Sequence, residues 1–177
     1  MKQLALGLLL AGVSAAAGLA QSPQTAKETF LNAEGEAVGA ARLTETPSGV
    51  LITLELSGLA PGPHAFHVHA VGRCDAAGGF ESAGSHFEPG DHRHGFKDAH
   101  GPHAGDMPNQ FVGADGVLKA EVLNASVTLG SGEATRRAPL FDQDGAALVL
   151  HADADDYASQ PAGKAGSRIA CAIIEKS

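Results

Sequence analysis

The chain has 177 residues, which suits a single domain, and it contains no Trp and one Tyr, so any core must combine aliphatic side chains with a few of its seven Phe. It carries 12 Lys and Arg against 20 Asp and Glu, a formal net charge of −8 at pH 7. This acidity argues against a nucleic-acid partner, because nucleic-acid binding depends on Lys and Arg that neutralise phosphates. An anionic substrate would need a locally positive route.

The first twenty residues have the three-part layout of a secretory signal peptide. Lys2 gives a basic start, residues 4–13 form an apolar run, and residues 14–20 are rich in small side chains. An uncleaved anchor is the weaker alternative, because a bilayer-spanning helix needs about 20 apolar residues. We expect cleavage near Ala20 and export to a periplasm or the extracellular space, with no membrane attachment afterwards. The mature chain would keep 11 basic and 20 acidic residues, a net charge of −9.

Residues 21–26 are polar and predict a flexible lead-in, and residues 27–177 read as one domain of short β-type runs. Turn sequences separate these runs at 34–35, 47–49, 115–116 and 144–145. The clearest strand covers residues 50–56, where four aliphatic residues at alternate positions face one way and Thr53 and Glu55 face the other. Residues 118–129, 146–151 and 168–174 predict further strands.

The spacing of these runs predicts an all-β domain, an antiparallel sandwich or barrel. No segment has a sustained period of 3.6 residues, and 23 Gly disfavour long helices. Two stretches, residues 70–110 and 152–167, do not follow the strand pattern. Long loops of this kind are usually functional or disordered, and the histidines of the first stretch favour a functional loop.

The chain has two cysteines, Cys74 and Cys171. In an exported chain an oxidising compartment lets them form one disulfide, and two buried free thiols are the alternative. The closed loop would hold about a hundred residues, for which chain-entropy models give a stabilisation of about 4 to 5 kcal/mol.

Histidines mark the chemistry of this chain. In the tripeptide His67-Val68-His69, residues two apart share one face of a strand, so two imidazoles would lie side by side. Further potential ligands follow along the chain: His86, His94, His103, Asp106 and His151. Neutral imidazole is the commonest protein ligand for copper and zinc, so we expect a metal site.

Two ligand sets are compatible with this pattern. Copper(II) favours tetragonal nitrogen coordination, which four imidazoles would supply: His67, His69, His86 and His151. Zinc favours a tetrahedral nitrogen and oxygen set: His86, His94, His103 and Asp106. His86 belongs to both sets and would bridge the metals as an imidazolate. The alternatives are isolated surface histidines or a loose metal-sequestering tract at 92–103, and His64, His92 and His100 have no predicted ligand role.

Four separated motifs resemble those of the copper/zinc superoxide dismutases, in particular the exported bacterial branch. They are PGPHAFHVH at 61–69, SAGSHF at 82–87, HAGDMP at 103–108 and GSRIAC at 166–171. The resemblance covers roughly residues 50–174. The chain departs from the family pattern at Ala65, where Gly is usual, and in the loop at 152–167, which is shorter than in eukaryotic relatives.

The resemblance implies a Greek-key antiparallel β-barrel or sandwich with two long functional loops, and a role for each site residue. Copper would be bound by His67, His69, His86 and His151, and zinc by His86, His94, His103 and Asp106. Cys74 and Cys171 match the family disulfide. Asp155 matches an acid that hydrogen-bonds the outer nitrogen of a ligand on each metal. Arg168 matches the arginine that guides the anionic substrate and donates hydrogen bonds to it.

The implied activity is dismutation of superoxide to dioxygen and hydrogen peroxide, which would protect the cell envelope or extracellular space. Copper would cycle between two oxidation states, with His86 and Arg168 as catalytic residues, and zinc would be structural. The alternative is a non-enzymatic copper-binding or copper-delivery protein on the same fold, which needs neither the bridge nor Arg168. A zinc hydrolase would need a zinc-bound water, which a closed four-ligand zinc set does not offer. A homodimer is compatible with the family.

Overall fold

The computed structural model describes residues 24–133 and 135–175. The predicted signal peptide, residues 1–20, and the first half of the predicted lead-in, residues 21–23, lie outside these residues. The strands are β1 Thr25–Asn32, β2 Ala37–Thr46, β3 Gly49–Leu56, β4 Gly62–His64, β5 Phe66–His69, β6 Gln110–Val112, β7 Leu118–Asn124, β8 Val127–Thr128, β9 Ala138–Pro139, β10 Ala146–His151 and β11 Arg168–Ile174. Within the described residues, the only helical elements are two 3-10 turns, Ala76–Gly78 and Glu81–Ala83.

Seven strands form one curled sheet in the order β5-β10-β11-β1-β2-β3-β7, and every pairing within it is antiparallel. Strands β1, β2 and β3 follow one another directly, and β11 returns to lie beside β1, which is the Greek-key arrangement. Two short pairs, β4 with β6 and β8 with β9, complete the described strands. The predicted all-β Greek-key class is confirmed.

The core is built from aliphatic side chains and Phe, as the composition predicts. On β3, Val50, Ile52, Leu54 and Leu56 are buried while Glu55 is exposed, so the predicted alternation is correct. Burial of each such side chain contributes about 1.5 to 3 kcal/mol, which makes this apolar face the main support of the sheet.

The strand boundaries agree with the sequence in two cases and differ in two. Strands β10 and β11 cover 146–151 and 168–174, as predicted. The single strand predicted at 118–129 is instead two strands, because the chain turns after Asn124, whose Oδ1 accepts a hydrogen bond of 2.9 Å from the Ser126 N–H. Strand β1 starts at Thr25, two residues before the predicted domain boundary, because Ala26 is already packed in the core.

Two long connections carry the predicted functional segments. We call residues 70–109, between β5 and β6, the first loop, and residues 152–167, between β10 and β11, the second loop. The disulfide joins Cys74 of the first loop to Cys171 of β11 across 97 residues, so the predicted pairing is confirmed. Ala65 is fully buried and its backbone does not adopt a positive φ, so its methyl group is accommodated without strain.

Candidate metal centre

Strand β5 places two histidines at the edge of the main sheet. One edge of β5 pairs with β10, with His67 opposite Val149. Its other edge meets the first loop, since the Val68 N–H donates to the Gly105 carbonyl oxygen at 2.9 Å. A side chain at Gly105 would overlap the Val68 carbonyl oxygen, so this close approach requires glycine.

This docking of the first loop brings two more ligand candidates to β5. Isolated β-bridges pair His69 with His86 and His67 with Asp106. His151 ends β10, and its N–H donates to the carbonyl oxygen of Ala65, the residue before β5. Residues distant in sequence therefore meet at one edge of the sheet.

The four predicted copper ligands form a buried group. Each of them offers one ring nitrogen, and all four of these nitrogens lie within 4.8 Å of one another: His67, His69, His86 and His151. The Nε2 atoms of His69 and His151 are 3.4 Å apart. Within the described residues, His67 Nδ1 and His86 Nε2 are buried without a hydrogen-bond partner, which costs about 1 to 3 kcal/mol for each polar group. A metal ion at the centre of this group would satisfy both, so the donor set fits copper.

The four predicted zinc ligands form a second group that shares His86 with the first. Their ligand atoms lie within 4.8 Å of one another: His86, His94, His103 and Asp106. Asp106 Oδ1 lies 2.9 Å from His86 Nδ1, 3.1 Å from His94 Nδ1 and 3.4 Å from His103 Nδ1. Four donors about 2.0 Å from a tetrahedral centre are about 3.3 Å apart, so this group fits zinc.

Burial keeps three rings of the copper group neutral, those of His67, His69 and His151, and the neutral ring is the form that binds a metal. Burial lowers the pKa of His67 to about 4, of His69 to about 2 and of His151 to about 3. At neutral pH each of these rings therefore has a lone pair available.

In the zinc group, burial and hydrogen bonds act in opposite directions on the pKa values of Asp106 and His94. Burial raises the pKa of Asp106, but hydrogen bonds from His86, His94 and the Gly95 N–H outweigh it, so this pKa lies well below its usual range. Burial lowers the pKa of His94, but its hydrogen bonds to Asp106 and Asp155 outweigh this effect and raise the pKa to about 9. A permanently ionised Asp106 suits a divalent cation.

Asp155 of the second loop connects the two groups. Its Oδ2 accepts a hydrogen bond of 2.9 Å from His67 Nε2, and its Oδ1 lies 3.0 Å from His94 Nε2. Each ring is thereby turned so that its Nδ1 faces the corresponding metal group. Burial raises the pKa of Asp155, but these hydrogen bonds and that from the Tyr157 N–H hold it well below its usual range.

A cavity of about 470 Å³ opens beside the shared imidazole. Its lining includes His69, His86, His151 and Arg168, so solvent reaches the copper group from this side. Arg168 is paired with His151 in the register of β10 and β11. This pairing places its guanidinium group at the cavity.

The guanidinium group of Arg168 is held by the first loop. Nη1 donates to the Phe80 carbonyl oxygen at 2.6 Å, and Nη2 donates to the Gly84 carbonyl oxygen at 2.8 Å. The exposed carboxylate of Glu81 lies 3.5 Å from Nη2 and partly offsets the charge. Arg168 therefore offers a fixed positive charge to an anion in the cavity.

The three remaining histidines, His64 of β4 and His92 and His100 of the first loop, differ in their surroundings. His64 is buried, and its ring lies between two carbonyl oxygens, that of His151 at 2.7 Å and that of Ala60 at 2.8 Å. It is therefore part of the support of the site rather than a solvated residue. His92 and His100 are exposed on the first loop.

Two amide side chains that the sequence analysis did not single out also contact the site. Asn109 bonds to the backbone of Asp155, and Gln160 bonds to the backbone of His94. No sequence pattern around either residue indicates such a role.

Fold and site together define a Greek-key metalloprotein with two adjoining ligand groups that share one imidazole. The family model for copper/zinc superoxide dismutase (SODC) matches residues 37–174. The chain belongs to this family. Within the described residues, no helix has the length and apolar character needed to cross a membrane.

Relatives and solved structures agree with this assignment. The chain is 49% identical over 146 residues to superoxide dismutase [Cu-Zn] 2 of Aquifex aeolicus, covering 82% of this chain and 83% of the relative. It is 43% identical to superoxide dismutase [Cu-Zn] of Caulobacter vibrioides, covering 80% of each. The crystal structure of a SOD-like protein from Bacillus subtilis superposes with a TM-score of 0.79 at 36% identity, covering 84% of this chain and 97% of that one.

Proposed function

We propose that this protein is an enzyme that converts superoxide to dioxygen and hydrogen peroxide with copper and zinc as cofactors. The observation that carries the proposal is the position of His86, which belongs to both ligand groups and has a buried Nε2 on the copper side with no hydrogen-bond partner among the described residues. Family membership and the relatives named superoxide dismutase support it.

The two ligand groups would hold the two metals. Copper would be held by the group that borders the cavity: His67, His69, His86 and His151. Zinc would be held by the group that lies behind it: His86, His94, His103 and Asp106. Bound copper supplies one-electron redox chemistry, whereas zinc has no accessible redox change and serves structure and charge.

His86 is suited to move a proton as well as to hold a metal. Its Nδ1 faces Asp106 and the zinc group, while its Nε2 is buried on the side of the copper group, and the residue borders the cavity. As an imidazolate it would bridge the two groups. On release at the copper side, Nε2 would take up a proton and later deliver it to the peroxide product.

Arg168 provides the locally positive route that an acidic protein needs. Superoxide is a small anion, and the guanidinium group at the cavity would attract it and donate hydrogen bonds to it. The local field at the cavity matters more for this attraction than the formal net charge of −8.

We further propose that residues 1–20 are a signal peptide, that the lead-in before the folded domain ends at residue 24, directly before β1 begins, and that the mature protein works in a periplasm or outside the cell. The disulfide supports export, because disulfides persist in oxidising compartments. The homodimer and the freedom from membrane attachment remain predictions.

The proposal is tested by superoxide consumption of the copper- and zinc-loaded protein. We expect rapid consumption that is lost on copper removal and in His151→Ala, because His151 belongs to the copper group alone. His103→Ala, which alters the zinc group alone, should lower zinc content and leave copper bound. Protein that binds both metals and does not consume superoxide would instead be the copper-binding alternative.

A further inference from the structure

Two amide side chains each form two hydrogen bonds with the backbone of one site residue. Each amide accepts from the N–H of that residue and donates to its carbonyl oxygen. The Asp155 N–H donates to Asn109 Oδ1 at 2.8 Å, and Asn109 Nδ2 donates to the Asp155 carbonyl oxygen at 3.0 Å. The His94 N–H donates to Gln160 Oε1 at 3.0 Å, and Gln160 Nε2 donates to the His94 carbonyl oxygen at 2.8 Å. Each amide therefore acts as a neighbouring strand would toward that residue.

Each loop supplies one of the two amides, and each amide binds the backbone of the other loop. Asn109 belongs to the first loop and holds Asp155 of the second loop, whereas Gln160 belongs to the second loop and holds His94 of the first loop. Between these two contacts lies the 3.0 Å link from Asp155 Oδ1 to His94 Nε2. The amides thus flank the point at which the loops meet over the zinc group.

The chemistry of the contacts requires an amide at both positions. A backbone N–H only donates and a carbonyl oxygen only accepts, so a partner of both must carry one acceptor and one donor side by side. A carboxylate offers no donor to the carbonyl oxygen, and an apolar side chain of the same length offers neither group. The orientation of both amides follows from these backbone groups.

We propose that Asn109 and Gln160 are positioning residues that form an amide clasp, which fixes His94 and Asp155 for metal binding. The inference rests on the zinc set proposed above. His94 is fully buried and supplies Nδ1 to the zinc group, so a shift of its backbone moves a ligand atom directly. Among the described residues, Gln160 forms no hydrogen bond to a ligand of the copper group, whereas Asn109 acts through Asp155 on His67 as well.

The test measures zinc and copper affinity by chelator competition, with Gln160→Met and Asn109→Leu as uncharged variants of similar size. Gln160→Met should weaken zinc binding about tenfold and leave copper binding within twofold. Asn109→Leu should lower the affinity for both zinc and copper. Gln143→Met, at an exposed position in the turn before β10, is the matched control and should change neither affinity.

A spectroscopic readout separates positioning from a general loss of stability. Co²⁺ bound in the zinc set reports ligand geometry by its visible absorption, and we expect Gln160→Met to alter this spectrum while Gln143→Met retains it. An unaltered spectrum and unaltered zinc affinity in Gln160→Met would overturn the clasp. Failure of the unsubstituted protein to bind Co²⁺ or zinc would overturn the zinc set itself, which distinguishes the two failures.

Additivity provides a second measurement that does not depend on one variant. Both amides support the same Asp155–His94 contact, so loss of either should weaken it and loss of the second should add little. The Asn109→Leu, Gln160→Met double variant should therefore bind zinc about tenfold to thirtyfold more weakly. A hundredfold loss, the product of two independent tenfold effects, would contradict a shared role.

Discussion

His67 Nε2 donates a hydrogen bond of 2.9 Å to Asp155 Oδ2, and both side chains are fully shielded from solvent. The other oxygen of this carboxylate serves His94 in the same way at 3.0 Å. One acid thus sets the ring orientation of a ligand in each metal group.

Asp155→Asn should weaken the binding of at least one of the two metals. The amide that replaces the carboxylate offers one acceptor and one donor, so one of the two imidazole N–H groups loses its acceptor and faces another donor. We expect copper or zinc affinity to fall 10- to 100-fold, measured by chelator titration. Asp153→Asn, at an exposed position in the same loop, is the control. Unchanged affinity for both metals in Asp155→Asn would show that the rings are oriented by other contacts.

Arg168→Ala should slow superoxide consumption without loss of copper. Removing the positive charge beside the cavity should lower the second-order rate constant about tenfold and reduce its dependence on ionic strength. Arg168→Lys keeps the charge and should give an intermediate rate, because Lys lacks the planar donor pair. Copper content should equal that of the unsubstituted protein, and an unchanged rate in Arg168→Ala would contradict a guiding role.

Glu81→Gln tests the electrostatic part of this argument from the opposite side. The Glu81 carboxylate is 78% exposed and lies 3.5 Å from Arg168 Nη2, so its removal leaves more positive potential at the cavity. We expect a rise of less than twofold in the rate constant, since exposed pairs are screened by solvent. A fall in the rate constant would instead indicate that Glu81 orients the guanidinium group.

The members of the two ligand groups could be predicted from the sequence, whereas the hydrogen bonds that hold these ligands in place could not. Alternation within β5 puts His67 and His69 on one face whatever the surrounding fold. The family motifs contain His86, His103 and Asp106, and the resemblance as a whole implies His94 and His151. The partners of Asn109 and Gln160 depend on how two loops approach each other, which no local pattern encodes. The sequence likewise indicates no role for His64, because only the packed structure shows its ring between two carbonyl oxygens.

The strand boundaries show the same division between local and tertiary causes. The apolar pattern of 118–129 resumes at Val127 and Leu129 after only two residues, so it predicts one strand where the chain turns. The turn depends on the side chain of Asn124, which bonds both the Ser126 N–H and, through Nδ2, the Ala104 carbonyl oxygen of the first loop. The second of these bonds is a tertiary contact.

Glu28→Gln should stabilise the protein at neutral pH. Burial raises the pKa of Glu28 above its ordinary value of 4.5, although its carboxylate accepts a hydrogen bond from the Glu175 N–H. A raised pKa means that the protonated form favours the fold, so this contribution is present below pH 4.5 and is lost as the pH rises through the folded-state pKa.

The Gln side chain cannot ionise. The melting temperature of the Glu28→Gln variant should therefore exceed that of the unsubstituted protein at pH 7. The difference should shrink as the pH falls toward 4. Glu34→Gln, in an exposed turn, should give no such pH-dependent difference. Melting temperatures between pH 4 and pH 7 measure the effect, and a difference that grows toward low pH would contradict the assigned direction.

Metal removal should loosen the loops before the barrel. The first loop has only two short 3-10 turns and is held by contacts with β5, with the second loop and within the ligand groups. Metal ions would tie its distant points together, so EDTA treatment should expose the chain to trypsin after Arg93 and Lys97. Arg42 of β2 and Lys119 of β7 are the internal controls, because ladder hydrogen bonds hold their strands without metal.

Mass spectrometry of timed digests should show loop cleavage in the stripped protein at least tenfold faster than in the loaded protein, with the control sites intact. Equal loop cleavage in both forms would mean that protein contacts alone fix the loops, and simultaneous cleavage at Arg42 and Lys119 would mean that the whole domain unfolds.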